Sequence, residues 1–291
     1  MKKIVGLLIS FIILSSLCYH LKANPERGQI NTDDTALVYR FDIAQKIDPA
    51  AWRITQKAIT EAEDMQADLV LIRMNTYGGM VLSADSIRTR ILNTPIPVYV
   101  FIDNNAASAG ALISIACDRI YMAPGANMGA ATVVNQQGQA MPDKYQSYMR
   151  STMRSTAQAH GKDTIVNNGD TTFSWYRDPL IAEAMVDPRV YIEGVIDTGK
   201  VLTFTTQEAI ENGYCEGETS TVKEVLQKAG IEKYKIQSFQ RTGLEKAIGF
   251  LVNPALQSIL IMLIIGGIYF EMQSPGIGFA LAVAVVAALL Y

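Results

Sequence analysis

Three short stretches of this chain could do chemistry: Gly78-Gly79, Ser108-Ala109-Gly110 and Lys144. Ser108 lies in Asp103-Asn-Asn-Ala-Ala-Ser108-Ala-Gly-Ala111. The run before it, Val98-Tyr-Val-Phe-Ile102, is apolar and β-rich, and the run after it, Ala109 to Cys117, reads as a buried helix behind a small polar loop. A serine at a strand-to-helix turn sits beside unpaired N–H groups and the positive end of a helix dipole, both of which favour developing negative charge. Small neighbours let a substrate backbone approach. Alone, such a serine is ordinarily an N-cap. Gly78-Gly79 changes the weighting, because it ends a second apolar run, Asp68-Leu-Val-Leu-Ile-Arg-Met74. Ligands of parallel sheets bind beyond the carboxyl ends of the strands. The amides of Gly78, Gly79 and Ala109 are therefore expected to frame one oxyanion pocket, worth about 3 kcal/mol per donor towards a tetrahedral acyl intermediate.

A nucleophilic serine needs a base. The chain has two histidines, His20 and His160. His20 falls in an N-terminal leader, and His160 closes a predicted helix and reads as a surface residue. A Ser-His-Asp triad is thus poorly supported, and a serine–lysine pair is the alternative. The lysine must be uncharged to act, which burial and a positive field promote. Lys144 stands in the first turn of a helix opened by Pro142, where the dipole disfavours an ammonium. Its bland reading is a solvated lysine. Lys162 and Lys200, in polar loops, are weaker candidates.

The elements that must position these residues follow in order. Ala36 to Phe41 reads as a strand. Pro49 to Met65 reads as a helix with Ile54, Ala58, Ala62 and Met65 on one face. The run ending at Met74 has the continuous apolarity of a parallel strand buried on both faces. Val81 to Leu92 is helical, Pro97 to Ile102 a strand, Ser108 to Cys117 a helix and Arg119 to Ala123 a short strand. The order β-α-β-α-β-α-β predicts an α/β fold with right-handed crossovers and a mainly parallel sheet. Beyond it come a helix from Pro142 to about His160, a polar stretch from Gly161 to Trp175 read as loop, and a helix over Arg177–Met185. A hairpin is expected from Arg189 to Phe204. Two further helices follow, one capped from Thr205 to Gly213 and one over Thr221–Ala229.

Both ends are apolar, against 49% hydrophobic and 18% charged residues overall and a net charge of -3. Met1-Lys-Lys followed by apolar Ile4–Leu17 and polar Asn24-Pro-Glu-Arg27 reads as a secretory signal, residues 1–23, with an uncleaved anchor as the alternative. Residues 24–240 are long enough for one buried core, and the signal with its Lys pair places them outside the cytoplasm. Residues 247–291 read as a transmembrane region. Ala255 to Phe270 is one span near the lower length limit, and Phe279 to Tyr291 a second, expected to be cut short. No basic block suggests nucleic acid, and no metal spacing exists. Cys117 and Cys215 are too few to establish a disulfide.

Taken together, Asp68 to Gly79, Asp103 to Gly110 and Met122-Ala-Pro-Gly-Ala-Asn-Met-Gly129 resemble the Clp-protease/crotonase superfamily, and within it the NfeD-like membrane-bound serine proteases that partner stomatin-type proteins. The resemblance covers roughly residues 34–230. Tyr77 stands where the family commonly has proline. The resemblance implies a β-α-β spiral and a Ser–Lys dyad of Ser108 and Lys144. It implies an oxyanion hole from Gly79 and Ala109, and a substrate peptide added as a strand near Gly78 to Val81, thus along Gly79 and Met80. It also implies cleavage of apolar peptide segments of a stomatin-like membrane partner, a homodimer or larger assembly, and no cofactor. Two other readings stand beside this serine endopeptidase: a non-catalytic membrane scaffold on a protease-like fold, and a crotonase-type acyl-CoA enzyme. The leader and the membrane span weigh against the last.

Overall fold

The computed structural model describes residues 35–167, 170–251, 254–273 and 278–291. They divide into two compact units that meet in sequence between Ser238 and Phe239. The first begins β1 (Ala36–Ile43), α1 (Pro49–Asp64), β2 (Leu69–Thr76), α2 (Val81–Asn93), β3 (Val98–Ala107), α3 (Ala109–Ala116), β4 (Arg119–Met122) and β5 (Asn127–Gly129). It continues with α4 (Asp143–Gln158), the strands β6 (Lys162–Asn167) and β7 (Asp170–Trp175), α5 (Pro179–Ala184), β8 (Thr203–Thr205), α6 (Thr206–Glu211), β9 (Gly217–Glu218), α7 (Val222–Lys228) and β10 (Tyr234–Ser238).

The sheet runs β10-β1-β2-β3-β4-β9 with every neighbour parallel. This is the α/β architecture with a mainly parallel sheet expected from the alternation of elements. Leu69, Val70, Leu71, Ile72 and Met74 of β2 are all fully buried, as are Val98, Val100 and Ile102 of β3, so both faces of the sheet centre are covered. α1 starts where expected, with the Asp48 carboxylate accepting from Ala51 N at 2.8 Å and Pro49 in the first turn. Its buried face is Ala51, Thr55, Ala58, Ile59 and Ala62. Ile54 is only half-buried and Met65 is 46% exposed. The small residues face the sheet because they let the helix pack closely. The apolarity of Met65 alone did not reveal that it lies past the last helical turn.

Four segments differ from expectation, each for a tertiary reason. The polar stretch 103–107 is strand, not loop. A register shift between Met74 and Thr76 frees the end of β3 to pair Asn105, Ala106 and Ala107 with Asn127, Met128 and Gly129 of β5. The stretch expected as loop after Gly161 is an antiparallel hairpin, in which β6 pairs β7 from Lys162↔Trp175 to Asn167↔Asp170. Between Arg189 and Phe204 there is no two-stranded hairpin. A single bridge, Ile192↔Ile196, closes a tight turn, and β8 pairs β5 instead. Finally, β10 adds an edge strand beside β1 that the sequence did not announce. The capping box at Thr205 and Glu208 is present as expected.

Every residue of α3 is buried. Its C-terminal carbonyls must find donors inside the protein, and Arg177 supplies them. The fully buried guanidinium donates to the carbonyls of Ile115 at 3.3 Å, Cys117 at 2.7 Å and Asp118 at 3.2 Å, and pairs with Glu216 at 3.4 Å. Tyr176 donates to the same Glu216 at 2.5 Å. A cation at this end also complements the helix dipole.

The second unit holds α8 (Gly243–Leu251), α9 (Pro254–Gln273) and α10 (Phe279–Leu290). Among the described residues one helix, Ala255–Gln273, is long and apolar enough to cross a membrane. α9 and α10 touch at Gly267, where an added Cβ would stand 2.5 Å from the Ala280 carbonyl oxygen and 2.8 Å from Ala284 Cβ. Close approach at small residues is the way membrane helices gain packing.

Removing the buried cation leaves the α3 carbonyls and Glu216 without their partner. Arg177→Met is therefore expected to lower the unfolding free energy by about 3 kcal/mol, read as the shift in urea midpoint of the detergent-solubilised protein.

Candidate active site

Ser108 is the half-buried residue between β3 and α3. Its backbone lies at φ 56° and ψ -115°, a left-handed conformation that side-chain-bearing residues avoid. Two contacts hold it there. Its N–H donates to the Gly129 carbonyl at 2.7 Å. Gly78, with φ 101°, lies so close that an added Cβ would meet Ser108 Cβ at 2.7 Å and Oγ at 3.1 Å. The Ser108 carbonyl accepts from Ala111 N at 3.0 Å, which starts α3. The hydroxyl caps nothing, because it has no hydrogen-bond partner among the described residues. The N-cap reading of this serine fails on that point. A strained serine on a strand-to-helix turn with a free hydroxyl is the arrangement that presents a nucleophile.

The surrounding amides are sorted by their partners. Gly78 is buried, and its N–H donates to Thr76 Oγ1 at 3.1 Å. The Gly78 carbonyl accepts from Ile47 N at 3.0 Å, and Met80 N donates to the Ile47 carbonyl at 2.7 Å. In a strand, successive backbone groups point to opposite sides. Gly79, between these two bonds, therefore directs its own N–H away from Ile47, and it is exposed. Ala109 is the first residue of α3, where helical N–H groups lack an internal acceptor. Gly79 and Ala109 are thus two amides with no hydrogen-bond acceptor among the described residues. Met80 has both backbone groups engaged, its carbonyl by Ala84 N at 3.0 Å, and Val81 already begins α2. The strand edge expected from Gly78 to Val81 thus offers its free backbone pair at Gly79.

Lys144 occupies the first turn of α4, after Pro142, as expected. It is exposed, and its Nζ lies 4.9 Å from the centroid of the Tyr145 ring. No hydrogen bond joins it to Ser108. The start of α4 is fastened to the segment that follows β5. The Gln146 amide clamps Val133, accepting from its N at 3.0 Å and donating to its carbonyl at 2.7 Å and to the Met141 carbonyl at 3.1 Å. Val133 follows Gly129 by four residues. A charge network adds to this: Arg150 pairs with Asp143 at 3.1 Å and Asp187 at 3.2 Å, and Arg189 with Asp187 at 2.7 Å and Asp143 at 3.3 Å. Bonding to Arg189 holds the buried Asp187 carboxyl down, from the ordinary 3.8 to about 2.

His160 is no partner for Ser108. Its Nε2 donates to the Ile115 carbonyl at 2.7 Å, at the other end of α3. Ile115 is seven residues past Ser108, about 10 Å along a helix. Lys162 Nζ lies 4.4 Å from the Trp175 ring centroid in the hairpin, and Lys200 pairs with Asp197 at 2.7 Å. Cys117 and Cys215 are free and buried, and burial raises both thiols, Cys215 to about 11. Among the described residues no group of three or more His, Cys, Asp or Glu could hold a metal ion. Sequence reasoning missed Thr76, Gln146 and the Asp143–Asp187 network. Thr76 alone left a sign, as a hydroxyl closing an apolar strand two residues before a paired glycine.

A family model described as NfeD1b, N-terminal domain, matches residues 37–239. The chain belongs to the NfeD1b family. This NfeD1b-family chain is 32% identical over 285 residues to the membrane protein NfeD1b of Bacillus subtilis, covering 98% of this chain and 60% of that protein. It is 26% identical over 264 residues to the membrane-bound protease PH1510 of Pyrococcus horikoshii, covering 82% of this chain and 54% of that protein. It therefore spans little more than half the length of the curated relatives it matches. Among solved structures, a variant of the 1510-N membrane-bound stomatin-specific protease in complex with a substrate peptide superposes with a TM-score of 0.60 at 23% identity, over 75% of this chain and 98% of that one. The NfeD1b-family chain shares that protease's fold.

The Asp187 pairing has a pH signature. Its folded-state pKa is lowered, so its stabilisation is complete above about pH 4 and is lost as pH falls through about 2. Asp187→Asn lacks it at every pH. The wild-type protein should exceed this variant by at most about 2 kcal/mol at pH 5, after allowance for the exposed Arg189. Urea midpoints should show the gap closing between pH 4 and pH 2.

Proposed function

We propose that this NfeD1b-family chain is a membrane-anchored serine endopeptidase with Ser108 as nucleophile and Lys144 as general base. The observation that carries the reading is the strained, unbonded Ser108 hydroxyl packed on Gly78, with the uncommitted amides of Gly79 and Ala109 each one residue further along the chain. Ser108 Oγ attacks the scissile carbonyl carbon and passes its proton to Lys144 Nζ. The Gly79 and Ala109 amides receive the oxyanion. Lys144 then returns the proton to the leaving amine as the acyl-enzyme forms, and a water activated by the same amine releases the second product. The related solved structures support the pairing of residue types, since they include a serine-to-alanine variant and a lysine-to-alanine variant with a substrate peptide.

The substrate is an extended apolar peptide segment that pairs with Gly79 and flanks Met80 and Val81. The names of the relatives point to a stomatin-like membrane protein as its source. We assign residues 24–240 to the protease domain, on the extracytoplasmic side of the cell membrane. Residues 247–291 are assigned to the transmembrane region and residues 1–23, outside the described residues, to the signal. A homodimer or larger assembly is the working unit.

A second reading, a non-catalytic membrane scaffold, draws on one observation: Lys144 is exposed and engaged with Tyr145 instead of Ser108. A fluorophosphonate probe on the detergent-solubilised chain separates the two. The wild-type chain should be labelled, Ser108→Ala should not, and Lys144→Ala should react about a hundredfold more slowly. Labelling that persists in Ser108→Ala rejects the nucleophile. A rate unchanged in Lys144→Ala rejects the base, and an inert wild-type chain supports the scaffold.

A further inference from the structure

Thr76 is almost fully buried, at 2% exposure, in a molecule whose other buried threonines in helices mostly bond to their own helix. Its hydroxyl does something different. It donates its one proton to the Gln45 carbonyl at 2.7 Å and, with a remaining lone pair, accepts the Gly78 N–H at 3.1 Å. The first bond fixes one end of the segment 45–47, and the other end, Ile47, grips Gly78 and Met80 on either side of Gly79. The second bond occupies the Gly78 amide and holds the φ 101° turn. The Thr76 methyl faces the other way, onto α3. A Cβ added to Gly110 would stand 2.7 Å from Thr76 Cγ2, so the methyl rests on the residue just after Ala109.

We infer that Thr76 is a positioning residue that sets the spacing of the two oxyanion donors: its hydroxyl aims the Gly79 amide and its methyl seats the first turn of α3, which carries the Ala109 amide. Thr76 touches no reacting atom. The inference rests on the endopeptidase reading for its catalytic consequence, but not for its structural one. It also explains why the paired glycines are unequal. Gly78 is the hinge whose amide is consumed, and Gly79 is the donor.

Two variants divide the side chain. Thr76→Val keeps the shape and both branches but removes the hydroxyl, and Thr76→Ser keeps the hydroxyl and removes the methyl. In fluorophosphonate labelling, a bond forms between Ser108 Oγ and phosphorus, fluoride leaves, and the serine proton goes to the base. The phosphoryl oxygen occupies the oxyanion site. Thr76→Val should lower the maximal labelling rate about tenfold to a hundredfold with the probe's half-saturating concentration unchanged, short of the 10²–10³ typical for losing a whole donor. Thr76→Ser keeps both hydroxyl bonds and loses only the methyl's seat under α3, so its labelling rate should fall by about threefold to tenfold, less than that of Thr76→Val. Amide hydrogen exchange over residues 76–80 gives a readout independent of catalysis and of any global loss of stability. Thr76→Val should accelerate exchange there while the strands Leu69–Met74 and Val98–Ile102 keep their protection, and Thr76→Ser should not. Unchanged exchange at 76–80 in Thr76→Val overturns the inference. So does wild-type labelling by Thr76→Val when Ser108→Ala is inert. A wild-type chain that does not label, with exchange responding as stated, overturns the endopeptidase reading and leaves the positioning role supported.

Discussion

The hydrogen bond from Ser108 N to the Gly129 carbonyl ties together the segments that surround the serine. A serine at φ 56° stays there only if its surroundings over-determine it. That bond joins the turn after β3 to the end of β5, and the extension of β3 exists because β5 lies beside it. The β3 extension in turn requires the register shift at the end of β2, which swings Thr76 and Gly78 against the serine. The bulge, the glycine pair and the strained serine are thus one cooperative arrangement. β8 buttresses it from the far side of β5, where an added Cβ on Gly129 would stand 2.5 Å from the Leu202 carbonyl oxygen.

α3 links this arrangement to the interior. One end carries half-buried Ser108 and buried Ala109, and the other ends in a buried guanidinium shared by three carbonyls and Glu216. His160 and Tyr176 complete that end, with their rings 6.2 Å apart. An eight-residue helix buried on every side has little freedom to shift along its axis. Whatever fixes its inner end therefore fixes the amides at its outer end.

How much of this the sequence revealed depends on whether the cause was local. The apolar runs of β2 and β3, the capping of α6, and the alternation that dictates a parallel sheet are properties of neighbouring residues, and all were legible. The approach of Gly78 to Ser108 was legible because both close such runs. The strand character of Asp103 to Ala107 was not, since those residues have poor β propensity and are held by β5, which comes later in the chain. The same holds for β10, whose partner β1 lies nearly two hundred residues earlier, and for the hairpin of β6 and β7, whose polar composition looks like loop. Gln146 and Arg177 hold backbone groups far from them in sequence, and nothing in their flanking residues announces it.

The close pairing of Ile47 with Gly78 and Met80 has a consequence for how any extended chain can settle at this edge. Ordinary strand addition lays down several main-chain rungs, and a visitor can slip by two residues at small cost. Here the ladder has one open rung, bounded on one side by a buried glycine and on the other by the start of a helix. An extended chain that paired there would make main-chain bonds through one residue at a time, and each of its residues could make the same ones. The choice of residue would therefore fall to side chains on both partners, with the main chain supplying only the direction of approach.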